Sequence, residues 1–144
     1  VIKIFTIGFT QKSAEEFFTL LVKNGVSKLI DVRLNNSSQL AGFASSKHLP
    51  YCLKLHNIEY QYSPQFAPTK ELLKGYRDKK IDWNEYEKRY IEILQKRKIL
   101  DKISIEEFDN SVLLCSEPTA DRCHRRLLAE YLANHFPNIE IGHL

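Results

Sequence analysis

Residues 1–33, V-I-K-I-F-T-I-G-F-T-Q-K-S-A-E-E-F-F-T-L-L-V-K-N-G-V-S-K-L-I-D-V-R, carry the fold in miniature. The first seven are β-branched and aromatic and end at Gly8, the pattern of a buried strand. Ser13-Ala14-Glu15-Glu16 forms a capping box, in which the hydroxyl and the Glu three residues on satisfy exposed backbone N–H groups at a helix start. Ala14, Phe17, Phe18 and Leu21 then share one helical face, and Gly25 supplies a left-handed stop. Residues 28–33 (KLIDVR) are a second strand, apolar through Leu29, Ile30 and Val32. Strand, helix and strand in this order make a right-handed βαβ unit, the seed of an α/β fold.

Working outward, Ser45 and Ser46 are expected to cap a short helix through Leu49, Leu53 and Leu55, with Pro50 in its first turn and Asn57 in a left-handed closing conformation. Residues 58–62 read as a third strand, and residues 63–68 as a loop stiffened by two prolines. A helical excursion follows over residues 69–79, and a second capping box at Asp82-Trp83-Asn84-Glu85 leads a long amphipathic helix. Its stripe of Trp83, Tyr86, Tyr90, Ile93 and Leu94 reads as core packing rather than as an aromatic binding platform, and its Lys and Glu residues as a solvated face. Residues 111–115 (SVLLC) and 139–143 (IEIGH) are strands, separated by a helix over residues 121–135. The pattern predicts one α/β domain over residues 1–144: a three-layer, Rossmann-like sandwich with a mainly parallel five-stranded sheet, order 3-2-1-4-5, and a helical excursion before strand four. Its switch point falls between strands one and four, and ligands of open parallel sheets bind there, outside the carboxyl ends of the strands.

A chain of 144 residues, 43% hydrophobic and 27% charged, has the size and balance of one globular domain with a full core. The net charge of +3 lacks the dense basic stripes of a dedicated nucleic-acid binder and suits an anionic small molecule at least as well. Three cysteines, an odd number, and the lack of a signal peptide or bilayer-length apolar run point to a cytoplasmic setting with free thiols and no membrane. Oligomeric state and cofactor leave no trace in the sequence.

Three segments end strands at the predicted rim: Gly8-Phe9-Thr10, Asp31-Val32-Arg33 and Cys115-Ser116-Glu117. Cys123-His124-Arg125 then opens the following helix. Backbone N–H groups at a helix N-terminus, with Arg122, Arg125 and Arg126 close by, suit an anion and lower a thiol pKa. Cys115 and Cys123 are therefore candidate nucleophiles, against the reading of Cys115 as a buried strand residue. His124 is a candidate acid or base, ligand or cap. Asp31 can orient an Arg or accept a ligand hydroxyl, and Arg33 can pair with an acidic group; the bland reading of both is an internal salt bridge. Gly8 reads as a close approach or a positive φ. His48, His56 and His135 read as surface residues, and Cys52 as core. A metal site could use Cys115, Cys123 and His124, although seven intervening residues exceed the usual zinc spacing and no second ligand pair appears, so no metal is assigned. A phosphatase or rhodanese loop needs a tight phosphate cradle, and the six residues between Cys115 and Arg122 contain no glycine and two acids. A reversible Cys115–Cys123 disulfide would suit a redox sensor.

The segments T-I-G-F-T (residues 6–10), L-I-D-V-R (29–33), I-E-Y (58–60) and above all C-S-E followed by C-H-R (115–117, 123–125) resemble the family known as domain of unknown function 488. The resemblance covers nearly the whole chain. It implies a compact Rossmann-like α/β fold in bacterial or archaeal cytosolic proteins and no established reaction. The chain departs from the family pattern where Gly8-Phe9-Thr10 replaces Gly-His-Ser, where Leu34-Asn35-Asn36-Ser37-Ser38 replaces a Pro-containing basic segment, and where Ser63-Pro64-Gln65-Phe66 replaces a Gly-rich one. The cysteine segment keeps the pattern.

The sequence thus points to an enzyme-like domain holding an anionic small molecule, such as a nucleotide or other phosphorylated compound. Cys115, Cys123 and His124 would carry the chemistry, and Thr10, Asp31, Arg33, Glu117 and Arg125 would bind the substrate. The alternatives are a metal-binding or thiol redox-sensing module and a nucleic-acid accessory protein.

Overall fold

The computed structural model describes residues 1–35, 42–115 and 122–144. Five strands, β1 (Ile2–Gly8), β2 (Lys28–Asp31), β3 (Glu59–Tyr62), β4 (Ser111–Cys115) and β5 (Ile139–His143), form one sheet in which every pairing is parallel. Among the described residues six α-helices accompany it: α1 (Ala14–Lys23), α2 (Leu49–Leu55), α3 (Lys70–Arg77), α4 (Trp83–Lys96), α5 (Ile99–Lys102) and α6 (His124–His135). No helix among the described residues is long and apolar enough to cross a membrane.

The strand order is β3-β2-β4-β1-β5, not the expected 3-2-1-4-5: β4 takes the centre and β1 stands beside it. Hydrophobicity explains the exchange. β4 (SVLLC) carries no charge and is buried at all five positions, whereas β1 exposes Lys3, and the edge strands β3 and β5 carry Glu59 and Glu140. A strand without a charge is best placed where both faces and both edges are covered. β1 and β4 remain neighbours, so the switch point stays between them: the chain leaves β1 toward β2 and leaves β4 toward β5, in opposite directions across the sheet. With right-handed crossovers, opposite directions put α1 and α6 on opposite faces.

Two separate cores confirm the three layers. Phe17, Phe18 and Leu21 of α1 and Leu49 and Leu53 of α2 pack on Ile7, Leu29, Val112 and Leu114. On the other face Tyr86, Tyr90 and Leu94 of α4 and Leu127, Leu128 and Leu132 of α6 pack on Ile4, Ile30, Leu113 and Cys115. Alternate residues of each strand thus feed alternate cores, as the pleat requires.

Local chemistry sets the boundaries. The Ser13 Oγ accepts from the Glu16 N–H at 3.1 Å, and its hydroxyl donates to the Glu16 carboxylate at 3.2 Å. Thr69 and Asp82 cap α3 and α4 by accepting from the Leu72 and Glu85 N–H groups. Gly25, at φ +69°, and Asn57, at φ +60°, close α1 and α2 in the left-handed region. The α2 cap differs from expectation: Ser45 turns its Oγ to the Lys47 N–H, and α2 begins after His48, with Pro50 in the first turn where a missing N–H leaves no bond unmade. β2 and β3 are shorter than residues 28–33 and 58–62, and α6 starts at His124 rather than at 121. Gly8 is the last residue of β1, paired with Cys115, and takes no positive φ. His48, His56 and His135 are exposed as expected; His56 also stacks on Phe18 at 5.2 Å and His135 bonds the Tyr131 carbonyl.

Candidate functional site

The sheet register brings the three predicted rim segments together. Gly8 pairs with Cys115, Asp31 with Leu114, and the Val32 N–H donates to the Leu114 carbonyl at 3.1 Å. Glu117 lies outside the described residues.

At the β2 end, Asp31 is fully buried and accepts four hydrogen bonds: from the Arg33 backbone N–H, from Arg33 Nε and Nη2 at 2.8 Å each, and from the Tyr60 hydroxyl at 2.7 Å. Arg33 is 3% exposed, its guanidinium 5.4 Å from the Phe9 ring centre. The salt bridge is therefore real, and it uses only one edge of the guanidinium. Arg33 Nη1 is buried and has no hydrogen-bond partner among the described residues. A fork clamped on one side by a carboxylate has its other N–H groups fixed in direction, the geometry that recognises an anion. The Asp31 charge also pushes the Tyr62 hydroxyl pKa up, after the larger effect of partial burial.

At the β4 end, Cys115 and Cys123 are joined in a disulfide, each sulfur-bearing residue 3% exposed. β4 delivers Cys115 at its last position, and Cys123 is the N-cap of α6. The Nε2–H of His124 donates to the Val32 carbonyl at 2.7 Å, and Tyr90 packs edge-on against the ring. Burial, with the Arg125 charge adding to it, lowers the His124 pKa to about 4 against the raising effects of the Val32 bond and Asp31. The ring is neutral at pH 7, with its proton on Nε2 and its lone pair on Nδ1. Tyr90 is held in turn by its hydroxyl, which donates to the Phe66 carbonyl at 2.7 Å.

Arg125 is 1% exposed and reaches Cys115 Sγ with Nη1 at 3.6 Å. It stands behind the sulfur rather than among the residues lining the cleft. Its charge is felt at Lys12, whose ammonium pKa is lowered first by partial burial and then by Arg125.

These parts open into a cleft of about 1330 Å³. Phe9, Thr10, Arg33, Cys115, Arg122, Cys123 and His124 line it from the sheet rim and the start of α6, and α3 with the turn to α4 supplies another wall. That wall carries Lys70, Lys74, Arg77, Lys79 and Lys80, with Trp83 and Tyr86 stacked at 5.0 Å beside them. Among the described residues, seven cationic side chains and two carboxylates line the cleft, an excess of five positive charges.

The sequence reading missed this wall. Its signal was the i, i+4, i+7 spacing of Lys70, Lys74 and Arg77, which puts three cations on one face of a helix. Trp83 packs on the core as expected but is half-buried and also reaches the cleft, with Arg126 over its ring at 5.8 Å.

No curated protein and no solved structure matches the chain. A family model does match, over residues 13–132, a span that leaves out the T-I-G-F-T segment but includes Arg33, the basic wall, both cysteines and His124. With that share of its length matched, the chain belongs to this family, the domain of unknown function DUF488.

Proposed function

We propose that the cleft binds a small molecule bearing clustered negative charge, a nucleotide or other phosphorylated compound, with chemistry centred on the cysteine pair that lines it. The observation that carries this reading is Arg33: a buried guanidinium, oriented by Asp31, whose Nη1 has no partner among the described residues, at a cleft that six further described cations line. Leaving such a donor buried and unpaired is unfavourable unless a ligand or water meets it. Arg33 would anchor the anion, the exposed cations of α3 would raise its local concentration, and Thr10 would meet it at the rim. Asp31 serves by fixing Arg33. In the dithiol form Cys123, at the N-cap of a twelve-residue helix, is the stronger nucleophile.

Calorimetric titration with pyrophosphate and ATP at low salt tests the reading. Binding that weakens roughly tenfold or more in Arg33→Lys, which keeps the charge and loses the fork, is the expected result. Lys74→Glu with Arg77→Glu, both on an exposed helix face, should weaken binding without changing the fold. No binding of either probe by the folded wild-type protein would remove the proposal.

The disulfide favours a second reading, a redox sensor in which the same two sulfurs change state beneath the cleft. Repeating the titration on oxidised and reduced protein separates the two, because equal affinities would leave the sensor reading without an output.

A further inference from the structure

We infer that the dithiol form of this protein binds a thiophilic divalent cation, zinc above all, through Cys115, Cys123 and His124, with a fourth coordination position open to the cleft. One ligand atom from each residue lies within 4.8 Å of the others, and all three residues are buried. A tetrahedral zinc ion, with Zn–S of about 2.3 Å and Zn–N of about 2.0 Å, holds its donors roughly 3.5–3.8 Å apart, so opening the disulfide leaves a set of nearly the right span.

The donor types agree: two thiolates and an imidazole select a soft or borderline metal over magnesium or calcium. The His124 Nε2–H is held by the Val32 carbonyl, the kind of outer contact that fixes the tautomer and orientation of a metal-binding imidazole and leaves Nδ1 its lone pair. Arg125 Nη1, 3.6 Å from Cys115 Sγ, places a cation against a sulfur that must be a thiolate to bind. The seven-residue gap between the cysteines is no obstacle. Short zinc spacings belong to ligands sharing one tight turn, whereas here β4 and α6 bring them in from separate elements. All three ligands also line the cleft, so among the described residues one side of the site is not closed by protein. Three protein ligands with an open position is the pattern of a metal that meets an exogenous ligand rather than a purely structural one.

Disulfide and metal use the same two sulfurs and exclude each other, which sets the experiment. Full-length protein reduced with a phosphine, freed of it and kept anaerobic is titrated with cobalt(II) and then with zinc. The expected result is a thiolate-to-cobalt charge-transfer band and the visible bands of four-coordinate cobalt, saturating at one ion per chain and bleached by zinc. The oxidised protein should show neither band. Charge-transfer intensity for two sulfur ligands supports the site; intensity for one or none in the folded, reduced wild type overturns it. Cys115→Ser and Cys123→Ser should each lose about half or more of the charge transfer, and His124→Gln should weaken cobalt roughly tenfold or more, while Cys52→Ser leaves the spectrum unchanged. A band lost in Cys52→Ser and retained in Cys123→Ser would also overturn it. If the serine variants do not fold, the wild-type intensity and stoichiometry still decide.

Discussion

The two halves of the site use buried charge and polarity in opposite ways. At the end of β2, Asp31 and Arg33 form a fixed pair two residues apart, with the carboxylate accepting from four donors and one guanidinium nitrogen without a partner among the described residues. At the junction of β4 and α6, Cys115, Cys123, His124 and Arg125 are assembled from two elements, and the sulfurs can exist as a disulfide or as thiols. One half is a fixed buried ion pair; the other holds a disulfide that reduction would open. On the proposed function, the ion pair would hold a ligand in one place while the sulfur chemistry beside it changes.

The largest expected effect breaks the anchor. Asp31→Asn keeps the shape of the side chain and leaves the Arg33 charge buried without its counterion, so unfolding in urea should show a loss of about 3–5 kcal/mol. If Arg33 turned outward to solvent instead, the loss would be near 1 kcal/mol and the pair would not be the rigid element described above. Reduction of the disulfide should change the Asp31→Asn effect little, because the described link between the halves, the His124 bond to the Val32 carbonyl, does not run through either sulfur.

Next in size is the pH response of the other half. His124 has a folded pKa of about 4 against 6.5 for the unsupported side chain, so between these values the unfolded chain binds a proton that the folded one does not. Its contribution is fully present above about pH 6.5, falls as pH drops toward 4, and is exhausted below that, a change of about 3 kcal/mol. His124→Gln removes the titrating group, so the stability difference between wild type and variant should shrink by this amount from pH 7 to pH 4. A difference constant across that range would mean that the ring is not held neutral.

The same contrast governs what the sequence reveals. The anchor is local: Asp31 and Arg33 lie on one strand end, and an internal salt bridge was one of the two readings they invited. Strand and cap positions are equally local, and β4, β5 and the caps at Ser13 and Asp82 stand where their residues place them. Strand order is a long-range property that hydrophobic periodicity alone does not set. The absence of charge in S-V-L-L-C, unlike every other strand, was the available hint that β4 belongs in the centre. α5 and the 3-10 turn at Ile105–Phe108 left weaker marks, since only Arg97 and the left-handed Lys98, at φ 52°, separate α4 from α5. The cleft wall escaped because it depends on α3 lining the same cleft as the rim, which no spacing within α3 dictates.

The smallest of these effects tests whether the two halves are separable. The disulfide closes a short loop, with a sequence separation of 8, and loop-closure entropy gives it about 2–3 kcal/mol of stability. Reduction should lower the urea midpoint accordingly and raise the titratable thiols from one, Cys52, to three. Amide exchange should quicken around β4 and the first turn of α6, where the bond ties strand to helix. The amides of β2 and β3, held by the Asp31 network and their own pairing, should keep their protection. If exchange instead rises by the same factor throughout the sheet, the anchor and the thiol centre belong to one cooperative unit, and a change in sulfur chemistry would loosen the ligand's anchor as well.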